Sequence, residues 1–244
     1  MSVKLDQLIQ RACAILKHEE PVSGYYGCFS GGKDSIVIKK LCEIARVKID
    51  WHYSVTTIDP PEVVQFIKQN HSDVIWERPE KNFFTRMVKK MPPGRRFRWC
   101  CQEYKEKTPA DRVSVLGIRI EESPKRKNIY TSCVMENERG KRIFPIRLWT
   151  KENIWDFIQS LDLPYCSLYD EGFERIGCIG CPLASVKNRK KEFKRWPKYY
   201  ELYRQAFQKF WNRKKRQEID TGKIWEWGSR FHSSEEFFEA WINK

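Results

Sequence analysis

Apolar positions along the 244-residue chain fall into two rhythms. Some short runs are almost continuously apolar and end in polar or turn residues: Tyr25 to Phe29, Ile49 to Thr56, Val74 to Glu77 and Val113 to Ile120. Runs of that length and composition read as strands buried on both faces. The stretches between them are amphipathic at helical spacing, as in Asp34 to Ala45 and in the segment that opens with Pro60-Pro61 and continues to about Gln69. Proline suits a first helical turn, where the amide it lacks would have no partner. Strands alternating with helices predict a parallel sheet with helices on both faces, an α/β fold.

Further along, Ile129 to Val134 and Arg142 to Pro145 form an expected hairpin or edge pair around the turn Glu138-Arg139-Gly140. Thr150 is a natural N-cap for a helix running to about Ser160. Asn153 stands where a capping box prefers Glu or Gln, so the box is expected to be imperfect. Lys187 to Arg216 is basic and helical, with an interruption at Pro197, and Ser233-Ser234-Glu235-Glu236 begins a last helix through Trp241. There is no internal repeat, low-complexity tract or clear linker. The expected organisation is one nucleotide-binding-sized core over residues 1–182, with a basic helical extension over 183–244 packed on it.

A composition of 41% hydrophobic and 14% aromatic residues can build a core and excludes a wholly disordered chain. No apolar run approaches the roughly 18 residues needed to span a bilayer. The N-terminal MSVKLDQLIQ is amphipathic rather than signal-like, so a cytoplasmic protein without a membrane partner is expected. The formal net charge of +14 favours polyanionic partners through steering and counterion release. A merely soluble lysine-rich surface is the plain alternative. The cations crowd into Arg95-Arg96-Phe97-Arg98, Lys125-Arg126-Lys127, Lys187 to Arg195 and Arg213 to Arg216, often beside aromatic rings.

Nine cysteines in a cytosolic chain should be reduced thiols or metal ligands. Cys13, Cys28, Cys42, Cys133 and Cys166 stand alone in apolar surroundings and read as small buried hydrophobes. Cys100-Cys101 and Cys178-x-x-Cys181 are close pairs, suited to a soft metal centre. A four-cysteine zinc site is the ordinary reading of two pairs. Adjacent cysteines are unusual in that role, because consecutive side chains diverge.

The run Ser30-Gly31-Gly32-Lys33-Asp34-Ser35 sits between the first strand and the helix after it. Glycines at such a corner permit positive φ and close approach of an anion, and the helix amides then point at it. Ser30 and Ser35 offer hydroxyls and Lys33 a charge. Asp34 either caps the helix or positions a metal bound to nucleotide phosphates. The spacing matches neither a Walker A loop nor a dinucleotide turn. An ordinary tight connection is the alternative to phosphate binding.

This hexamer resembles the SGGxDS loop of the PP-loop adenine-nucleotide enzymes. Further segments resemble their adenylyl-sulfate and phosphoadenylyl-sulfate reductase branch: Thr57-Ile58-Asp59-Pro60-Pro61-Glu62, Arg98-Trp99-Cys100-Cys101, Gly117-Ile118-Arg119-Ile120-Glu121-Glu122-Ser123, Pro145 to Thr150 with its continuation through Ile154-Trp155 to Tyr165, and Leu168 to Cys178. The resemblance spans about residues 24–182, in order. It implies an adenine-nucleotide alpha-hydrolase-like sheet and a nucleotide held by Ser30, Gly31, Gly32, Lys33, Asp34, Ser35, Asp59 and Arg119. It also implies a [4Fe–4S] cluster on Cys100, Cys101, Cys178 and Cys181. Lys105 occupies the reductases' Cys-Cys-x-x-x-Lys position between cluster and substrate. Lys33, Asp34, Lys105 and Arg119 are the implied catalytic residues, with ATP or adenylyl sulfate and Mg2+ as the other cofactors. Around the cysteines, Arg98, Lys105 and Arg175 would offset thiolate charge.

The reductases also carry a C-terminal nucleophilic cysteine, and here no cysteine follows Cys181. The expectation therefore moves to cluster-bearing relatives that adenylylate an oxygen with ATP, release pyrophosphate and let sulfur replace that oxygen. Sulfur transfer to nucleic acid, with DNA phosphorothioation the preferred pathway and a sulfur-donating partner protein, is the leading expectation. An assimilatory reductase using Cys133 or Cys166, and a non-catalytic nucleotide- or nucleic-acid-binding module, are the alternatives. In the basic segments, Trp196, Tyr199, Tyr200, Tyr203 and Phe207 either stack on bases or form the apolar stripe of a packed helix.

Overall fold

The computed structural model describes residues 3–138, 140–226 and 228–244. In chain order its main elements are α1 (Val3–His18), β1 (Tyr25–Cys28), α2 (Lys33–Ala45), β2 (Ile49–Ser54), α3 (Pro61–Asn70), β3 (Ile75–Glu77), α4 (Phe83–Lys89), α5 (Trp99–Tyr104), β4 (Ser114–Val115), α6 (Pro124–Ile129), β5 (Val134–Asn137), β6 (Gly140–Ile143), α7 (Lys151–Ser160), α8 (Val186–Arg195), α9 (Pro197–Thr221) and α10 (Ser234–Ile242). Among the described residues, no helix is long and apolar enough to cross a membrane. They divide into two compact units. The first comprises residues up to Ser54, Pro61–Glu77 and Lys107–Ile176; the second comprises Val55–Pro60, Arg78–Glu106 and Gly177–Lys244.

The first unit holds a six-stranded sheet in the order β3-β2-β1-β4-β6-β5. Every neighbouring pair is parallel except the β5–β6 hairpin. Chain direction explains what the sheet is for. From β1 the chain moves outward through β2 to β3, then returns to place β4 on the other side of β1. The loops leaving β1 and β4 therefore diverge at a topological switch point, the crevice in which open α/β sheets bind ligands. Tyr25, Val37, Leu41, Val115 and Ile143 are buried around it, and α7 buries Ile154, Phe157 and Ile158 at helical spacing.

Three departures from the sequence pattern have local causes. The strand expected over 113–120 ends at Val115, because Ile118 donates back to Leu116 in a tight turn and the chain then enters a short 3-10 turn, Ile120–Glu122. The stretch 124–129, for which the sequence pattern predicts no element before Ile129, is helical, since Ser123 accepts from the Arg126 amide and Pro124 fills the first position. The β5–β6 hairpin begins only at Val134, and Arg139 of its expected turn lies outside the described residues. At α7 the capping box is complete: Asn153 Oδ1 accepts the Thr150 amide at 3.0 Å and Thr150 Oγ1 accepts the Asn153 amide at 3.2 Å. Asparagine thus does the work usually given to Glu or Gln.

The second unit is helical and packed with rings. Tyr203, Phe207, Phe210 and Trp211 of α9 meet Phe237, Phe238 and Trp241 of α10, while Phe83 and Trp99 stack at 5.5 Å. The helix break falls at Trp196, whose φ of −124° and ψ of 72° lie outside the helical region that a following proline disfavours. Trp196, Tyr203 and Phe207 are buried and Tyr199 and Tyr200 half-buried, so this aromatic series is a core stripe rather than a base-stacking platform. The isolated cysteines are more varied than the sequence suggests. Cys42 and Cys166 are buried, whereas Cys13, Cys28 and Cys133 keep partial exposure.

Candidate functional site

In the first unit, the loop after β1 is built around Gly31. Its φ is +69°, and a Cβ there would lie 2.9 Å from Ile67 Cδ1 and 3.0 Å from Val63 Cγ1. Both the torsion and the space demand glycine. The Ser35 hydroxyl staples the turn by donating to the Gly32 carbonyl at 2.8 Å and accepting the Ser30 amide at 3.2 Å. Gly32 is the N-cap of α2 and has no side chain with which to cap the helix; of the first-turn amides, that of Lys33 is taken by the Tyr169 hydroxyl.

Charge is concentrated at this helix start. Lys33 is 5% exposed, with its ammonium 3.2 Å from Asp34 Oδ2 and 3.4 Å from the Glu174 carbonyl. Arg119, in the loop after β4, is 3% exposed and donates through Nε to Asp34 Oδ1 at 2.5 Å. Its second arm reaches Glu121 Oε2 at 2.6 Å. Burial works to discharge the guanidinium, but the Asp34 carboxylate prevails and its pKa rises. Asp34 is therefore not a capping residue. Both its oxygens are taken by cations, so it anchors Lys33 and Arg119 beneath the glycine turn.

Tyr169 and Glu174 belong to this site although sequence reasoning gave them no role. Tyr169 accepts the Lys33 amide on its hydroxyl at 2.9 Å, and the Lys33 ammonium lies 5.6 Å from the same ring. Gly117 is the third such residue: a Cβ on it would sit 3.2 Å from Asp34 Cβ. The only signal for all three was their position inside the segments that resemble the reductases.

The second unit holds the cysteine pairs, together with Asp59 and Lys105. Cys100 and Cys101 lie on α5, and Cys178 and Cys181 flank a turn whose Gly180 has φ +69°. A Cβ at Gly180 would strike the Phe193 and Tyr203 rings at 2.9 Å, so those rings shape the turn. Cys100 donates to Cys101, which lowers the Cys101 pKa, with further help from Lys105 and Arg98. Burial raises the Cys178 thiol, and the Cys178 charge in turn raises the Lys105 ammonium. The four thiols thus feel one another and two cations. Among the described residues, no three His, Cys, Asp or Glu side chains converge closely enough to hold a metal as they stand. The donor chemistry, thiolates beside compensating cations, nevertheless fits a soft iron–sulfur centre.

Asp59 is buried in this unit. Its carboxylate accepts the Thr56 amide and hydroxyl, each at 2.7 Å, and Cys178 Sγ lies 3.5 Å from the same hydroxyl. Thr57 between them has φ +64°, unusual for a β-branched residue, and its hydroxyl accepts the Phe83 amide at 2.9 Å. Strained backbone of this kind costs about 1–3 kcal/mol and persists where neighbours enforce it. Thr56 is the residue sequence reasoning missed; a Thr-x-x-Asp turn pattern is its signal.

A nucleotide-type loop at the switch point of the first unit's parallel sheet, and two cysteine pairs in the second unit, define a PP-loop class of protein. Residues 25–184 match the model of the phosphoadenosine phosphosulfate reductase domain, and the chain belongs to that family. An uncharacterized protein of Methanocaldococcus jannaschii is 31% identical over 216 residues, which cover 82% of this chain and 50% of the relative. The adenosine 5'-phosphosulfate reductase of Staphylococcus saprophyticus is 38% identical over 84 residues, covering 34% of each. The chain spans half or less of the length of these curated relatives. The solved phosphoadenylyl-sulfate reductase of Candida auris, in its phosphate complex, superposes with a TM-score of 0.54 at 15% identity, covering 74% of this chain and 97% of that one. This last likeness establishes the fold.

Proposed function

We propose that the protein is an ATP pyrophosphatase of the adenylylating kind, serving sulfur transfer to nucleic acid, with DNA as the preferred acceptor. The observation that carries the reading is the Ser30–Ser35 turn with Lys33 and Arg119 buried against Asp34. It supplies two fixed cations at the positive end of α2, where triphosphate charge needs them. An acceptor oxygen attacks the α-phosphorus, the bond to the bridging oxygen breaks, and pyrophosphate leaves with its charge held at the turn. Sulfur at the sulfide level, brought by a donor protein, then displaces AMP together with the activated oxygen. Preorganised cations of this type contribute about 10²–10³ in rate each.

Cys100, Cys101, Cys178 and Cys181 would hold a [4Fe–4S] cluster, which would offer a thiophilic site for sulfur. Lys105 keeps its positive charge beside Cys178 and balances the thiolates. Of the two thiols that could replace the reductase nucleophile, burial raises Cys166, which counts against it as the attacking thiolate. Anaerobic incubation with ATP, followed by mass detection of AMP and pyrophosphate, tests the reading. Sulfite release from adenylyl sulfate without pyrophosphate from ATP would identify a reductase instead. Nucleotide bound intact through many hours would identify a binding module.

A further inference from the structure

The outward side of α8 carries a stripe of lysines. Lys187, Lys190, Lys191 and Lys194 are all exposed and recur at spacings of three and four, which confines them to one side of the helix. Arg189 and Phe193, on the opposite side, are buried. Glu192 is the helix's one acid; it is half-buried and its carboxylate accepts the Gly180 amide at 2.8 Å, on the side of the helix away from Lys187, Lys190 and Lys194. Successive helical turns set the lysines in rows about 5.4 Å apart.

A second basic feature is fastened to the same helix. Arg95 donates to the Ala184 carbonyl at 3.0 Å, just ahead of the Ser185 N-cap of α8. It belongs to a turn closed by reciprocal 3.1 Å backbone bonds between Gly94 and Phe97. This turn presents Arg96 and Phe97 to solvent, and Phe97 is 51% exposed. A ring offered to water between arginines, on a hydrogen-bonded turn beside a row of lysines, suits one kind of occupant. Cations take the backbone of a flexible polyanion and the ring takes the face of an unpaired base. A lipid surface would call for an apolar insertion face on α8, and the exposed residues of this helix are lysines with Asn188 and Arg195. An acidic peptide would leave Phe97 without use.

We propose that the α8 lysine stripe and the Arg96–Phe97 tip form one binding surface for a single-stranded polynucleotide. The inference rests on the nucleic-acid reading above and gives it a location. Anisotropy titration of the whole chain with a labelled oligodeoxythymidylate tests it, over a series of salt concentrations. Neutralising three contacts in Lys187→Gln/Lys190→Gln/Lys194→Gln should weaken binding at least tenfold at low salt. It should also flatten the log–log salt dependence by about 2, at roughly 0.7 per phosphate on a single strand. Phe97→Ala should weaken single-strand binding about fivefold or more and leave duplex binding unchanged.

Wild-type affinity and salt slope in the triple variant would overturn the surface, as would absence of binding by the unmodified chain at low salt. Undiminished single-strand binding by Phe97→Ala would overturn the single-strand assignment and leave a general polyanion patch. Pyrophosphate release from ATP alone is expected to be unchanged in both variants. Failure of that release in the unmodified chain would count against the proposed activity, whereas the oligonucleotide data judge the surface.

Discussion

Arg119 Nε and Asp34 Oδ1 lie 2.5 Å apart, joining the loop after β4 to the first turn of α2 across the switch point of the sheet. The guanidinium is almost wholly buried, so its charge depends on the carboxylates of Asp34 and Glu121 beside it. Breaking such a pair from one side costs about 3–5 kcal/mol, much of it from the stranded charge. Asp34→Asn should therefore lower the unfolding midpoint more than Asp34→Asn/Arg119→Met, which removes both charges. Pyrophosphate release should fall about 100-fold in either single variant and little further in the double. Urea unfolding and a coupled pyrophosphate assay on all three variants check this. Independent, additive losses in rate would show that the two residues do not act as a unit.

Gly31 offers a cleaner probe of the turn, because it carries no charge. Gly31→Ala forces an L-residue to φ +69° and drives its methyl toward Ile67 and Val63. The left-handed torsion alone costs about 1–2 kcal/mol. The variant should remain folded by circular dichroism and lose ATP affinity in calorimetry. Retained wild-type affinity would separate the turn from the phosphates.

The strand–helix alternation was legible because a parallel sheet writes itself as uniformly apolar runs such as Tyr25 to Cys28. The glycine turn was legible because Gly31 has no substitute at that corner. What escaped was created by the tertiary arrangement. Tyr169 enters the loop site from far along the chain, and no local pattern marks a hydroxyl that will accept the Lys33 amide. The resemblance implies a nucleotide role for Asp59, and no local pattern marked the two bonds that its carboxylate accepts from Thr56. The α6 helix, six residues behind the Ser123 cap, is too short to show a helical period in the sequence.

Gly177 and Gly180 stand three residues apart beside the cysteine pair and should respond differently. Nothing lies within 4 Å of a Cβ at Gly177, whereas one at Gly180 meets two rings that cannot easily retreat from a packed aromatic core. Gly180→Ala should reduce iron incorporated on anaerobic reconstitution and accelerate thiol labelling of Cys178 and Cys181. Gly177→Ala should leave both measurements at wild-type values. Equal behaviour of the two variants would mean that ring packing does not set the thiol turn.

Arg189 gathers four carbonyls: those of Trp241 and Ile242 at 2.6 and 3.0 Å, and those of Pro182 and Ala184 at 3.1 and 3.3 Å. It thereby fastens the end of α10 to the chain just after Cys181, with its guanidinium 4.9 Å over the Trp241 ring. Methionine fills similar space and donates nothing, so Arg189→Met leaves buried acceptors unmet at about 1–3 kcal/mol each. The urea midpoint should fall by the equivalent of about 3 kcal/mol or more, and Arg189→Lys should recover only part of it. Full recovery by lysine would show that charge, rather than the forked geometry, does the fastening.

Glu192 gives the second unit a pH dependence of definite sign. Burial raises its carboxyl to about 7, against the pull of the Gly180 amide and Arg189. The folded state therefore holds a proton that the unfolded chain releases near its ordinary value of about 4.3. Where the folded state binds more protons, stability falls as pH rises. The contribution is fully present below about pH 4 and is lost as pH rises through 7, a change on the order of 3 kcal/mol. Glutamine cannot ionise but still accepts the Gly180 amide. Glu192→Gln should accordingly be more stable than the unmodified chain at pH 8 and close to it at pH 5, measured by urea unfolding at both values. A parallel pH profile for the two proteins would place the titrating group elsewhere.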